Sequence, residues 1–268
     1  MNIINWNPCK NRRNLGYVYL ITALVLWGGY YIACKQALAV LPPNTVSVLK
    51  YVVALLCYKS IEKYRRSPPE NIRKKDRKLA LCTCISGYFL AVVCQMVGLQ
   101  YSSSSMAALI SSLNTVCITM LSACFLHESV NKKKVAAMIV SVAGLILIIG
   151  SPGDGNRILG IALDLAAMVS WSISCILMKK VCRTYSSLSI TKYCMKFGCV
   201  MLLPFCVLEL WKMDFANSMI SPATLGAILY AGALGTALAY WCWNQALSSL
   251  PASTCSLFGP LQPLTTAL

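Results

Sequence analysis

Nine long apolar runs separate short polar segments, and they constrain this chain more than any other feature. A helix needs about 20 mostly apolar residues to cross a bilayer, and most of these runs approach that length. The apolar residues are continuous instead of alternating, which indicates helices and not the strands of a membrane barrel. We therefore predict an all-α, polytopic membrane protein. The runs are Leu15–Cys34, Thr45–Ile61, Leu79–Leu99, Met106–Leu126, Val135–Ile149, Ile158–Met178, Ile190–Trp211, Thr224–Leu247 and Ala252–Leu268.

The composition excludes other classes of protein. Of the 268 residues, 57% are hydrophobic and 12% are charged, whereas a soluble domain has about 25% charged residues. An ordinary soluble enzyme and a disordered chain are therefore excluded. The first apolar run follows Lys10, Arg12 and Arg13, but it is too long for a signal peptide and no small-residue cleavage site follows it. We expect it to be a retained first helix.

The distribution of positive charge predicts the orientation. If the N-terminus is cytoplasmic, the inner segments carry 19 Lys and Arg residues and the outer loops carry three, which are Lys35, Arg157 and Lys212. This bias follows the positive-inside rule and explains the net charge of +16 without a nucleic-acid partner. The sequence thus predicts a cell-membrane protein with a cytoplasmic N-terminus. The basic block Arg73–Lys78 either contacts anionic headgroups or is a solvated loop that enforces this topology.

Signatures of catalysis or metal binding are missing from the sequence. Most of the 15 cysteines lie in apolar runs, where they act as small hydrophobic residues. Cys82 and Cys84 lack metal-site spacing, and His127 is the single histidine of the chain, so neither a zinc site nor a catalytic dyad is supported. Phosphate-binding glycine patterns are also missing. We therefore predict no enzyme activity, no cofactor and no metal.

A weak internal repeat relates the two halves of the chain. A shift of 144 residues aligns Leu15–Gln36 with the region of Leu159–Lys180 at seven identities, among them Trp27 with Trp171 and Lys35 with Lys179. A shift of 146 pairs Lys50 with Lys196, and a shift of 148 pairs Leu99 with Leu247. Each unit would hold five helices. Because five is odd, the second unit enters the membrane from the opposite side, which gives an inverted repeat typical of secondary transporters.

The repeat also predicts the domain organisation. The first five-helix unit covers residues 15–150, and the second covers residues 158–268. The second unit is shorter by about 30 residues on this logic. We therefore expect the chain to be a fragment or the product of a truncated gene, with its last helix incomplete or missing.

Several motifs resemble the drug/metabolite transporter superfamily, specifically its EamA-type ten-helix group with two EamA repeats. The similar segments are Leu26–Lys35 (LWGGYYIACK), Ala107–Leu113 with Leu126–Ser129 (LHES), Val169–Trp171, Leu234–Tyr240 (LGTALAY) with Trp243–Leu247 (WNQAL), and Gln262–Pro263. Three positions depart from the family pattern: His127 replaces a glycine, Lys50 stands where arginine is usual, and Asn114–Thr115 stands where a proline is common. The resemblance implies a transporter fold and leaves the substrate open.

Three ionisable residues within the apolar runs are candidates for a site, because buried charges in membranes are costly. Lys50 either attracts an anionic or carboxylate group or extends to the membrane interface, and Lys196 has the same alternatives nearer the basic face. Asp164 either stabilises a helix end, pairs with a lysine or couples transport to protons. Glu128 is interpreted as a topology and capping element.

Six uncharged residues complete the predicted substrate site. Trp27 and Trp171 occupy matching positions in the two repeats and either line a cavity or pack between helices. Four amides either bind substrate or form interhelical hydrogen bonds, and the repeat pairs two of them, Asn114 with Gln262. The four are Gln95, Asn114, Asn244 and Gln262.

The sequence therefore predicts a secondary transporter that moves a small metabolite, such as an amino acid, an organic ion or a drug-like compound, by alternating access. We expect an exporter or exchanger, with a central cavity lined by helices one, three, four, six, eight and nine. Few carboxylates lie within the membrane, which favours facilitated or exchange transport over obligate proton coupling. The alternative is a membrane sensor or partner protein that binds a small molecule without transporting it. Small-residue faces would allow a homodimer.

Overall fold

The computed structural model describes residues 8–65, 72–130, 155–213 and 221–267, with a few isolated residues between 132 and 143. Within these ranges the chain is helical throughout and contains no strand, which confirms the predicted all-α class. The helices are α1 (Pro8–Leu38), α2 (Pro43–Arg65), α3 (Lys74–Tyr101), α4 (Ser104–Leu126), α5 (Gly155–Val181), α6 (Ser187–Lys212), α7 (Pro222–Ser249), α8 (Ala252–Leu257) and α9 (Leu261–Ala267).

Six helices in the described part of the chain are long and apolar enough to cross a membrane, namely α1, α3, α4, α5, α6 and α7. Helix α2 contains the predicted run Thr45–Ile61, but it is not among the six, and Lys50, Lys59 and Glu62 lower its hydropathy. The predicted run Val135–Ile149 falls almost wholly outside the described residues. The protein is therefore a multi-pass membrane protein.

The last predicted run is not one continuous helix. Residues 252–267 form the short helices α8 and α9, which are separated by a turn at 258–260. Pro260 has no N–H to continue the helical hydrogen bonds, and the turn is closed by short-range bonds such as the one from the Gly259 N–H to the Ser256 carbonyl, at 2.9 Å. Helix α4 tightens in the same way at Leu113, whose N–H binds the Ile110 carbonyl at 3.0 Å. The repeat relates these two interruptions.

Two other helices carry a widened π-helical segment in their middle. These segments are Cys84–Leu90 in α3 and Tyr230–Leu238 in α7, and the shift of 148 residues superposes one on the other. Side chains of other helices bind carbonyls of these segments: Trp27 Nε1 donates to Gly235 at 3.0 Å, and the Tyr51 hydroxyl donates to Tyr88 at 2.8 Å. Both segments are thus held by specific partners.

The two halves are interlocked by their helix packing. Helix α1 packs on the C-terminal half of α7, and α5 packs on the C-terminal half of α3; α2 pairs with α6, and α4 with α8. Glycines allow the closest of these contacts. A Cβ atom at Gly235 would lie 2.6 Å from Cδ2 of Tyr30 on α1. Each repeat therefore completes the core of the other.

Two lysines cap the C-terminal ends of helices, and the repeat pairs them. Lys35 Nζ donates to the carbonyls of Leu99, Gln100 and Ser102 at 2.5–3.1 Å, and so closes α3. Lys179 Nζ closes α7 by donating to the carbonyls of Leu247 and Leu250 at 2.9 and 2.5 Å. An ammonium at a helix C-terminus satisfies free carbonyls and complements the helix dipole. These lysines hold the ends of α3 and α7.

Two glutamates cap the N-terminal ends of helices in the opposite repeat. Glu128 accepts the N–H groups of Ala252 and Ser253 at 2.9 and 3.0 Å, at the start of α8. Glu209 accepts the N–H groups of Asn44 and Thr45 at 3.1 and 2.8 Å, at the start of α2. The capping role foreseen for Glu128 is therefore present, but the helix that it caps belongs to the other half of the chain.

We predict that Glu128→Gln lowers the free energy of unfolding by about 1–2 kcal/mol, because charge-assisted bonds to two N–H groups are weakened. Burial raises the pKa of Glu128, but the bonds from Ser253 and from the two N–H groups outweigh it, so the net pKa is lowered. The stabilisation is therefore complete above the ordinary glutamate range and is lost as the pH falls through the lowered pKa. Thermal unfolding in detergent across acidic pH measures this.

The matched control for this prediction is Glu62→Gln. Glu62 pairs with Lys192, and both side chains are partly exposed, so the loss should stay below about 1 kcal/mol. Equal losses in the two variants would contradict the capping role of Glu128.

Helix α4 ends at His127 in a left-handed conformation, with φ 54° and ψ 35°. Glycine is the residue best suited to this position, because a Cβ atom is strained there. We predict that His127→Gly raises the free energy of unfolding by about 1 kcal/mol, and that His127→Ala, which keeps the Cβ atom, gives no gain. Thermal unfolding of the three proteins tests this, and a less stable glycine variant would refute it.

Candidate functional site

A small cavity lies between the two halves, bordered by α1, α3, α4, α5, α7 and α9 among the described residues. Its volume is about 50 Å³, and one water needs roughly 10–15 Å³ on the same measure. At this volume the cavity holds a few waters. Its wall is formed by Trp27, Tyr30, Tyr31, Gly87, Ala91, Val92, Gln95, Ser111, Asn114, Asp164, Ala167, Met168, Trp171, Tyr240 and Gln262.

The irregular helices described above all meet at this cavity. The π-helical segment of α3 contributes Gly87 to the wall. The π-helical segment of α7 ends two residues before Tyr240, which also lines the cavity. The interruption of α4 at Leu113 is followed at once by Asn114, and the turn before α9 is followed by Gln262. Helix irregularities of this kind are frequent at functional sites, and broken helices form the binding sites of many transporters.

The centre of the wall is an aromatic cluster. The ring centroids of Trp27, Trp171 and Tyr240 lie 5.2–5.8 Å from one another, and the ring planes meet at 70–90°. Trp243 and Tyr88 pack behind them, with centroids 5.3 Å from Trp27 and 5.4 Å from Tyr240 respectively. Edge-to-face contacts of this kind hold aromatic rings in fixed orientations. The cluster is therefore a preformed surface.

A chain of hydrogen bonds runs along the wall from a buried lysine. Lys50 is 0% exposed, and its Nζ donates to the hydroxyl of Tyr30. The Tyr30 hydroxyl donates to Gln95 Oε1 at 3.3 Å, and Gln95 Nε2 donates to the Tyr31 hydroxyl at 3.0 Å. The Tyr31 hydroxyl is bonded in turn to Ser111. This chain orients two tyrosines and one amide towards the cavity.

Asp164 is the acidic residue of the cavity wall. The residue is 4% exposed, and its Oδ2 accepts a hydrogen bond from the hydroxyl of Ser102 at 2.8 Å. Lys35 binds the main-chain oxygen of the same serine. Among the described residues, Lys192 and Glu62 form the only ion pair closer than 4 Å. Asp164 therefore forms no ion pair at this distance. A buried carboxylate without an ion pair is expensive in a membrane.

The structure brings six of the nine predicted site residues together on the cavity wall, namely Trp27, Gln95, Asn114, Asp164, Trp171 and Gln262. Lys50 lies behind Tyr30 instead of on the wall. Asn244 is buried, and its Nδ2 donates to Tyr88 at 3.0 Å and to Thr191 at 2.6 Å, which joins α7 to α3 and α6. Lys196 is exposed on α6, away from the cavity.

The sequence reasoning missed Tyr30, Tyr31 and Tyr240. The signal was present, because residues three and four positions after Trp27 share its helix face. Tyr30 and Tyr31 stand at those positions and line the cavity with it. Tyr240 ends the LGTALAY segment and reaches the cavity directly after the π-helical turn of α7.

A larger depression of about 450 Å³ lies between α2, α6 and α7, away from this cavity. Apolar side chains such as Ile61, Leu188 and Trp241 line most of it, and its polar groups are the hydroxyls of Tyr58 and Ser60. The Tyr58 hydroxyl already donates to Ala237 at 2.6 Å. This surface offers a polar ligand little, so the central cavity is the candidate site.

We predict that Gly87→Ala lowers the free energy of unfolding by about 1–3 kcal/mol, since the added methyl group would overlap the Ser174 side chain and force α3 and α5 apart. The matched control is Gly226→Ala on α7, where no atom lies within 4 Å of the added carbon. That change should be neutral or stabilising. Thermal unfolding of both variants provides the comparison, and an unchanged Gly87→Ala protein would contradict the packing described here.

Comparison with known proteins finds relatives that are named as transporters. The uncharacterized transporter YetK of Bacillus subtilis is 25% identical over 261 residues, which cover 94% of this chain and 77% of YetK. An uncharacterized transporter of Archaeoglobus fulgidus is 23% identical over 257 residues, which cover 94% of this chain and 86% of that protein. A crystal structure matches with a TM-score of 0.73 at 16% identity, covering 96% of this chain and 86% of its own; this shows a shared fold.

The sequence profile of the EamA-like transporter family matches residues 14–150 and 158–268. Two matched segments fit the repeat seen in the paired caps, π-helical segments and helix interruptions. The chain therefore belongs to the EamA-like transporter family and is a membrane transporter by family.

Proposed function

We propose that this protein is a secondary transporter that moves a small metabolite across the cell membrane by alternating access. The observation that carries the proposal is the central cavity, which lies between the interlocked halves and is lined by interrupted and π-helical segments. Secondary transporters with inverted repeats bind their substrates at this place, between the repeats near the middle of the membrane.

The size of the cavity supports a conformational cycle. About 50 Å³ is too small for a metabolite, so the halves must separate before one can enter. Opening towards one side and then the other would carry the substrate across. A ligand changes such an equilibrium only by its difference in affinity for the two states. Fast turnover therefore requires similar affinities in the inward and outward states.

Exchange or facilitated transport is the form of energy coupling that the residues favour. The sequence has no ATP-binding motif, so the driving force would be a gradient or a second molecule of substrate. Asp164 is the one carboxylate on the described cavity wall. Lys and Arg residues are concentrated in alternate loops, which supports a cytoplasmic N-terminus. Export or exchange at the cell membrane is the direction that we propose.

Counterflow in proteoliposomes tests this proposal. The chain is reconstituted into vesicles loaded with unlabelled compound, and accumulation of labelled compound is followed for amino acids, nucleotide sugars, organic anions and organic cations. We expect one class to accumulate. Gln95→Ala, which breaks the hydrogen-bond chain on the cavity wall, should reduce the initial rate at least 10-fold.

The matched control is Gln100→Ala, because Gln100 is an exposed residue of the same helix whose side chain is outside the cavity. Its rate should equal that of the wild type. Protein that is folded and binds a compound in a thermal-shift assay, yet accumulates nothing, would overturn transport and favour a membrane sensor.

A further inference from the structure

We propose that the substrate carries a positive charge, and that its cationic group binds between the carboxylate of Asp164 and the aromatic wall formed by Trp27, Trp171 and Tyr240. This inference rests on the proposed transport function and adds the substrate class to it. A small amine or a quaternary ammonium compound would fit such a site.

The charges at the cavity support this assignment. Among the described residues that line the cavity, Asp164 is the only Asp, Glu, Lys, Arg or His. Its carboxylate is nearly buried and receives one hydrogen bond, from Ser102. Lys35 acts on this carboxylate electrostatically from beyond ion-pair distance, and a buried charge without a direct partner is costly. A cationic ligand would supply that partner, whereas an anion would be repelled by the same group.

Two lysines lie near the cavity, but neither lines its wall and both are hydrogen-bonded within the protein. Lys35 Nζ is held by the carbonyls of Leu99, Gln100 and Ser102, and an ammonium has three protons to donate. Lys50 Nζ is held by the Tyr30 hydroxyl, and the Tyr30 side chain stands between it and the cavity. Lys35 therefore has no proton left for an anionic ligand, and Lys50 lies off the cavity wall behind Tyr30. This differs from the interpretation in which Lys50 attracts a carboxylate.

The aromatic wall is the second half of the argument. A cation within about 6 Å of a ring centroid is attracted by the negative face of the ring, and tryptophan is the strongest partner. Trp27, Trp171 and Tyr240 line one cavity and hold one another at 5.2–5.8 Å. Next to the cavity, Lys50 Nζ lies 5.8 Å from the ring centroid of Tyr51, whereas its contact with Tyr30 is the hydrogen bond to the hydroxyl.

Three probes of similar size and shape but different charge test the inference: tetramethylammonium, neopentyl alcohol and pivalate. Binding to the reconstituted chain is followed by its tryptophan fluorescence, since Trp27 and Trp171 line the cavity. We expect tetramethylammonium to bind at least 10-fold more tightly than the neutral alcohol, and pivalate to bind more weakly than both. Equal affinities, preference for pivalate or absence of tetramethylammonium binding would overturn the inference.

Two substitutions assign the effect to Asp164. Asp164→Asn should remove the preference for tetramethylammonium over the alcohol, and Asp164→Glu, which keeps the charge, should retain most of it. The control Glu62→Gln removes a carboxylate far from the cavity wall and should change nothing. A preference that survives in Asp164→Asn would overturn the inference. If that variant does not fold, the ranking of the three probes on the wild type still decides.

The counterflow assay separates this inference from the proposed function. Accumulation of an anion or a neutral compound that depends on Gln95 would support transport and overturn the cationic substrate class. Binding of tetramethylammonium that depends on Asp164, without accumulation of any organic cation in vesicles, would support the cation site and overturn transport.

Discussion

The membrane forces every main-chain polar group to find a partner inside the protein, and the rest of this structure depends on how that requirement is met. Helix ends and helix interruptions leave N–H and carbonyl groups free. Here specific side chains bind them: Lys35 and Lys179 at C-terminal ends, Glu128 and Glu209 at N-terminal ends. Because the glutamates cap helices of the opposite repeat, the same bonds that satisfy the backbone also join the two halves.

The irregular helices around the cavity show where the structure departs from the most stable geometry. A π-helical turn weakens the regular hydrogen bonds of a helix, and in α3 and α7 partner side chains compensate, such as Tyr51 on Tyr88 and Trp27 on Gly235. In α8 the Ser256 carbonyl accepts from the Thr115 hydroxyl at 2.6 Å as well as from the Gly259 N–H. Of these partners Trp27 lines the cavity, so its bond to Gly235 ties the π-helical segment of α7 to the cavity wall.

Length and hydropathy predicted the six long membrane-capable helices, because a bilayer leaves few alternatives to a long apolar helix, but they did not predict the break in the last run. The repeat paired Trp27 with Trp171 and Asn114 with Gln262, and in the structure all four side chains line one cavity. It failed for Lys50 and Lys196, which the repeat pairs although one is fully buried and the other is exposed. Apolar runs show no polar face from which to read the rotation of a helix, so the side chains that face the cavity require the packed structure.

The repeat fixes the scaffold, and the departures from it carry the chemistry. Lys35 and Lys179 occupy matching positions and perform the same capping task, as a symmetric fold requires. Asp164 matches Leu20, which is fully buried in the core. A leucine there satisfies packing, whereas Asp164 accepts a hydrogen bond from Ser102 at the end of α3 and carries a cost of burial. The charge that the symmetry does not require thus lies on the wall of the cavity, where the proposed cationic ligand would bind.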